Sequence, residues 1–188
     1  ITFQDRGGKQ EHPHYTTWTT TSRLIGAIIM AHGDNSGLKL PPRVAPIQVV
    51  IVPIAQEKCN VLEESAKIKN ILSKKFRVKL DDRDNYTVGY KFNDWEMKGV
   101  PVRLEIGPKE IEKGEVILAR RDTFEKITVK MENLEEELQK LLDDIHNTMF
   151  NDCLKRQEEK TTIAHNMEEL TKNINENQGY IKAMWCGS

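Results

Sequence analysis

An α/β sandwich, with a mixed, mainly parallel sheet flanked by helices, is predicted for the middle of this chain by three observations. Gln48 to Pro53 is a near-continuous run of branched apolar residues, as a strand covered on both faces requires. Strand-like and helical spacings then follow in the order β-α-β-α-β-β with a helix behind them, an alternation that layers helices on a sheet. That helix, Leu134 to about Glu158, repeats apolar residues at Leu134, Leu138, Leu141, Ile145 and Met149, and its other side is crowded with Glu, Asp and Lys.

Taken in order, Ile1 to Gln4 and His14 to Thr21 read as short strands around an Arg6-Gly7-Gly8-Lys9 hairpin turn. Arg23 to His32 carries Leu24, Ile25, Ile28, Ile29 and Ala31 at helical spacing, reads as a buried helix, and stops at Gly33 to Gly37. Leu38 to Pro46 holds three prolines and reads as an extended linker at a domain boundary. Gln56 to Lys75 is helical with Val61, Ala66, Ile68, Ile71 and Leu72 as its apolar side, and Arg77 to Leu80 alternates as a short strand. Tyr90 to Lys98 is a short amphipathic helix; Val100 to Ile106 is a strand with Val102, Leu104 and Ile106 on one face and its charges on the other. Pro108 to Glu112 makes one helical turn, and Glu115 to Arg120 pairs with Lys126 to Lys130 as a hairpin. The long helix ends in the polar run Arg156 to Thr162, followed by a helix, Met167 to Asn173, and a strand, Tyr180 to Trp185.

Composition excludes several classes. With 38% hydrophobic and 30% charged residues among 188, the chain is globular rather than disordered. No apolar run approaches the roughly 18 residues of a membrane span. No basic-then-apolar leader precedes the first element, and Cys59, Cys153 and Cys186 are too few and too widely spaced for a disulfide framework, so a reducing cytoplasm is expected. A net charge of -1 gives no global case for coating a phosphate backbone; reading a few exposed bases needs only local positive charge. The chain opens on Ile1 rather than Met, which suggests part of a longer polypeptide.

The residues with chemistry to offer lie between Asp81 and Lys109. Phe92 and Glu96 are four apart and share a helix face, with Trp95 at its edge. Read alone, Trp95 and Phe92 are core aromatics, and Glu96, Lys98, Arg103 and Glu105 are solvated surface. The sharper reading is geometric. A ring can stack an unstacked base, a carboxylate can accept N1–H and N2–H of guanine, and a guanidinium fork suits O6 and N7.

The string Asp81-Asp82-Arg83 through Gly89-Tyr90-Lys91-Phe92, Trp95-Glu96, Lys98-Gly99-Val100-Pro101-Val102-Arg103 and Gly107-Pro108-Lys109 closely resembles the anticodon-reading segment of prolyl-tRNA synthetases. These are class II aminoacyl-tRNA synthetases, and the resemblance is to the eukaryotic/archaeal type. It implies anticodon contacts by Phe92 through stacking, by Glu96 and Arg103 at base edges, and by Lys109 and Glu110, the last standing where relatives often have Asp. A second run, Thr21-Ser22-Arg23-Leu24-Ile25-Gly26 with His32-Gly33-Asp34 and Pro41-Pro42-Arg43 behind it, resembles motif 3 of the same family. There Arg23 would contact ATP phosphates, Thr21 would touch the nucleotide, and Trp18 would stand beside the proline pocket. Thr19 departs from the glycine usual in the family and would crowd that pocket. Trp185-Cys186-Gly187 resembles the entry to a C-terminal zinc-binding domain, with Cys186 as first ligand; by itself Cys186 reads as an inert thiol.

The resemblance therefore implies the C-terminal portion of a proline–tRNA ligase. Residues 1–45 would end an antiparallel-sheet catalytic domain, 46–150 would form the anticodon-binding domain, and 151–188 would begin a C-terminal α/β domain. It further implies ATP, Mg²⁺, structural Zn²⁺, proline and tRNA(Pro) as cofactors and partners, a homodimer through the absent catalytic domain, and no membrane. Motif 1, the motif 2 arginine and the proline-recognition loop have no counterpart here, so these residues alone are not expected to activate an amino acid. A non-catalytic tRNA-binding module is the alternative.

Overall fold

The structure is a computed structural model that describes residues 1–57, 60–177 and 179–185. Phe3–Gln4 (β1) and Gln10–Glu11 (β2) form a small hairpin, with Asp5 Oδ1 accepting from Gly7 N and Lys9 N at 2.9 and 2.8 Å. The turn lies where expected, but its partner strand is β2, and residues 14–20 carry no regular structure. An alternating pattern becomes a strand only when another strand pairs with it, and none does so here among the described residues. Arg23–His32 (α1) forms where its spacing predicts and ends at Gly33, yet it is not a buried helix: none of its residues is buried. Leu24, Ile25 and Met30 all face solvent, so the apolar stripe finds no partner among the described residues.

The central sheet has five strands, ordered Val78–Leu80, Val49–Pro53, Val102–Ile106, Glu115–Arg120 and Lys126–Lys130. Val49–Pro53 (β3) is its centre and is buried at every residue. Val61–Leu72 (α2) follows and is shorter than the expected Gln56 to Lys75. Ala55 and Asn60 both hold left-handed backbone (φ 54° and 49°), which a right-handed helix cannot contain. The buried stripe of α2 is Val61, Ser65, Ile68 and Leu72, so Ile71 turns outward and Ser65 takes the inner position with its Oγ donating to Val61 O at 2.7 Å. Val78–Leu80 (β4), Val88–Met97 (α3) and Val102–Ile106 (β5) complete the parallel part.

Pro108–Lys113 (α4) leads to Glu115–Arg120 (β6) and Lys126–Lys130 (β7), both antiparallel to their neighbours. The sheet is thus mixed, with β3, β4, β5 and β7 running one way and β6 the other. The link between β5 and β6 is shorter than the dozen or so residues a parallel crossover needs, so β6 must return antiparallel.

After a 3₁₀ turn at Met131–Asn133, Leu134–Glu159 (α5) buries Leu134, Leu138, Leu141, Leu142, Ile145 and Met149. Together with α2 it seals one sheet face, over Val49, Ile51, Val102, Leu104, Val116, Leu118 and Val129. Thr161–Ala164 (β8), Met167–Glu176 (α6) and Tyr180–Ala183 (β9) form a separate parallel βαβ pair. The sequence reading missed β8, because Thr161-Thr162 continues the polar run that ends α5.

The opposite sheet face positions the site. Alternation sends Val50, Val52, Arg103, Glu105, Ile117, Ala119, Lys126 and Thr128 to it. Cross-strand register lines them up as Val50–Arg103–Ala119–Lys126 and Val52–Glu105–Ile117–Thr128. Trp95 of helix α3 and Val100 just behind it cover the valines, leaving Lys126 and Thr128 on β7 exposed.

Candidate nucleic-acid interface

Thr87 caps α3, its Oγ1 accepting from Tyr90 N at 3.3 Å. The rotation of this helix about its axis is set from beneath. Trp95 is buried and donates Nε1 to Asp81 Oδ2 at 2.6 Å, and Arg83 donates to both Asp81 oxygens and to Asp94 Oδ2 at 2.7–2.9 Å. Lys91, also buried, reaches Asp81 O at 3.3 Å. Burial would raise the Asp81 pKa, but the hydrogen bonds from Arg83 and Trp95 outweigh it and hold the carboxyl down at about 2. With Trp95 and Lys91 facing inward, Phe92 and Glu96 fall on the flank of α3 that looks along the sheet toward β5.

There they meet Arg103. Its guanidinium carbon lies 3.9 Å from the Phe92 ring centroid, and NH1 donates to Glu96 Oε1 at 2.5 Å. Nε and NH2 both donate to Glu105 Oε1, at 3.1 and 3.0 Å. Lys126 Nζ donates to Glu105 Oε2 at 2.9 Å and lies 5.6 Å from the Phe92 centroid. Ring, acid and guanidinium therefore do converge on one spot. Expected as an open fork for a base edge, Arg103 is instead 9% exposed, with three of its five N–H groups donated to carboxylates. Glu105, read from sequence as surface charge, is buried. The groups left facing solvent are the half-buried Phe92 ring, Glu96 and Lys126; among the described residues Glu96 Oε2 receives no hydrogen bond.

Residues 48–141 match a family model described as an anticodon binding domain. The chain belongs to the anticodon-binding-domain family. It is 56% identical over 187 residues to a proline–tRNA ligase of Clostridium botulinum, covering 100% of this chain and 39% of that protein. It is likewise 54% identical to proline–tRNA ligase 2 of Clostridioides difficile and 51% identical to a proline–tRNA ligase of Alkaliphilus oremlandii, each over 100% of this chain and 39% of the relative. The chain thus spans about two-fifths of the length of these relatives, and the resemblance read between Asp81 and Lys109 extends along all of it.

Within the anticodon-binding domain, the remaining sequence candidates lie apart. Lys109 is exposed and Glu110 half-buried on the first turn of α4, beyond the carboxyl end of β5. Three strand residues separate Arg103 from that end, about 10 Å. Glu110 packs across Gly107, where an added Cβ would lie 2.9 Å from Glu110 Oε2. Trp18 is 93% exposed, and Thr21 and Arg23 are exposed as well, so the described residues form no pocket around them. Cys186 lies outside the described residues, as does Cys59. Among the described residues no group of three or more His, Cys, Asp or Glu could hold a metal ion. Cys153 is half-buried on α5, accepting from Arg156 NH2 at 3.2 Å beside His32. No described helix is long and apolar enough to cross a membrane.

Sequence reasoning missed Lys126 and the partnership of Glu105. The signal was present: Glu105 alternates with Arg103, so both lie on one face. Lys126 is brought to them only by the register of a hairpin.

Proposed function

We propose that this chain reads the anticodon of tRNA(Pro) within a cytoplasmic proline–tRNA ligase, an enzyme that activates proline with ATP and esterifies it to that tRNA. The observation that carries the reading is the convergence of Phe92, Glu96 and Arg103 beside Lys126 on the open half of the sheet. An extruded base stacks on the exposed side of Phe92 while Arg103 holds the ring from its inner side. Glu96 accepts N1–H and N2–H of a guanine, and the hydrogen bond from Arg103 keeps that carboxylate aimed. Lys126 offsets the negative charge of the acids and receives backbone phosphate. Lys109 and Glu110 contact the neighbouring nucleotide.

In this reading residues 1–45 close the catalytic domain, with Thr21 and Arg23 at ATP and Trp18 at proline, 46–150 form the anticodon domain, and 151–188 begin the C-terminal domain, where Cys186 ligates zinc. The enzyme is a homodimer through its catalytic domain. Proline anticodons carry two adjacent guanines, so the test is binding of this chain to tRNA(Pro) and to a copy with both replaced by adenine. Glu96→Gln should abolish about 1–3 kcal/mol of discrimination. A wild-type chain indifferent to those guanines would defeat the reading. A second reading, a tRNA-binding module without catalysis, would need only the domain that residues 48–141 match. Proline-dependent ATP–pyrophosphate exchange by the intact gene product decides between them.

A further inference from the structure

Behind α1, one buried guanidinium joins three segments. Arg121 is 3% exposed at the start of the β6–β7 turn. Its NH1 and NH2 donate to Asp34 Oδ2 and Oδ1 at 2.9 and 2.7 Å, and its Nε donates to Glu96 O at 2.8 Å. Asp34 follows Gly33, the residue that ends α1, and opens a turn closed by an Asp34–Gly37 bridge. From that turn Leu38 N donates to Met97 O at 3.0 Å and Leu40 N to Gly99 O at 3.2 Å.

Two glycines make this approach possible. A Cβ on Gly37 (φ +121°) would lie 2.6 Å from Met97 Cα, and one on Gly99 (φ +73°) 2.7 Å from Leu38 Cβ. Hydrogen bonds from Arg121 in turn hold the Asp34 carboxyl well below the usual carboxylate range, against the opposing effect of its burial. An apolar contact of similar volume would fasten the turn as firmly as a buried ion pair. What the guanidinium adds is direction: its third donor fixes the backbone of Glu96, whose side chain meets Arg103 at 2.5 Å.

We propose that Arg121 is a positioning residue for anticodon reading, holding Asp34 and the Glu96 carbonyl in one frame so that the turn behind α1 helps to aim the Glu96 carboxylate. The proposal rests on the anticodon-reading function above. It makes the segment carrying Thr21 and Arg23 sensitive to whether the correct bases are bound, because α1 ends in the turn that Arg121 grips.

The test uses the 188-residue chain with tRNA(Pro) and its adenine-substituted copy. Asp34→Asn and Arg121→Lys should each cut the affinity ratio between the two tRNAs about tenfold at temperatures where thermal melts show them folded. A merely structural role lowers the melting temperature and leaves that ratio intact. Wild-type hydrogen exchange supplies a readout that no folding defect can spoil: the Leu38 and Leu40 amides should exchange more slowly with tRNA(Pro) than with the substituted copy. Folded variants with an unchanged ratio, or equal exchange in both complexes, overturn the positioning role. If the wild type itself fails to distinguish the two tRNAs, it is the anticodon reading that fails.

Discussion

Arg103 shows how a residue chosen for one task from sequence is given another by its neighbours. Buried between Phe92, Glu96 and Glu105, it orients the groups that face the solvent and has little surface of its own to offer a base. Arg103→Ala leaves the buried Glu105 carboxylate with Lys126 as its remaining ion-pair partner, so the loss should fall below the about 3–5 kcal/mol of a buried charge left with none. Urea unfolding should detect that loss alongside weakened tRNA binding, whereas Glu96→Gln should weaken guanine discrimination with little change in stability. Asp81 gives a pH signature at the same scale. Its carboxyl falls from an ordinary 3.8 to about 2 on folding, so the stabilisation is complete above pH 3.8 and lost as pH falls toward 2. That is about 2 kcal/mol for a fully buried acid, and Asp81→Asn should remove this part of the acid-unfolding profile.

Helix α3 carries Phe92 and Glu96, the residues proposed to read the anticodon, and its orientation depends on contacts at both ends. At its carboxyl end the backbone meets the Gly37-Leu38 strip without room for a side chain. Gly99→Ala combines a left-handed backbone with a 2.7 Å clash and should destabilise by about 2 kcal/mol or more. Gly89, in the first turn, has nothing within 4 Å of an added Cβ. Gly89→Ala should therefore stabilise by about 0.5–1 kcal/mol, through helix propensity alone. Chemical denaturation of the two variants, which differ only in which glycine is replaced, checks the contrast directly. Opposite signs are expected.

Across the whole molecule, acids and bases nearly cancel at a net charge of -1, so binding by bulk electrostatics is not available. Local cations must serve, and Lys109, Lys126 and Lys130 lie exposed around the open half of the sheet. Three phosphate contacts with single-stranded anticodon nucleotides predict a slope of log affinity against log salt near about -2. A much steeper slope in filter binding between low and physiological salt would mean that the tRNA is held by a broader surface than this one. Lys126→Ala should make the slope shallower by about 0.7.

The sequence by itself determined the elements whose signals are local. The branched run at β3, the spacing of α1 and α5, and the hairpin of β6 and β7 each carry their own periodicity, and each formed within a residue or two of its predicted bounds. It also determined which residue types the site would use, because the 81–109 string is dense in rings and paired charges. Tertiary structure alone decided their partners. Register set Lys126 beside Arg103, the gap left by α3 opened one half of a sheet face, and short links turned β6 antiparallel. Burial converted Arg103 from a free fork into a brace, and among the described residues nothing covers the apolar stripe of α1. The physical reason is the same throughout: backbone periodicity is encoded within a few consecutive residues, while burial and ion pairing depend on which distant segments arrive.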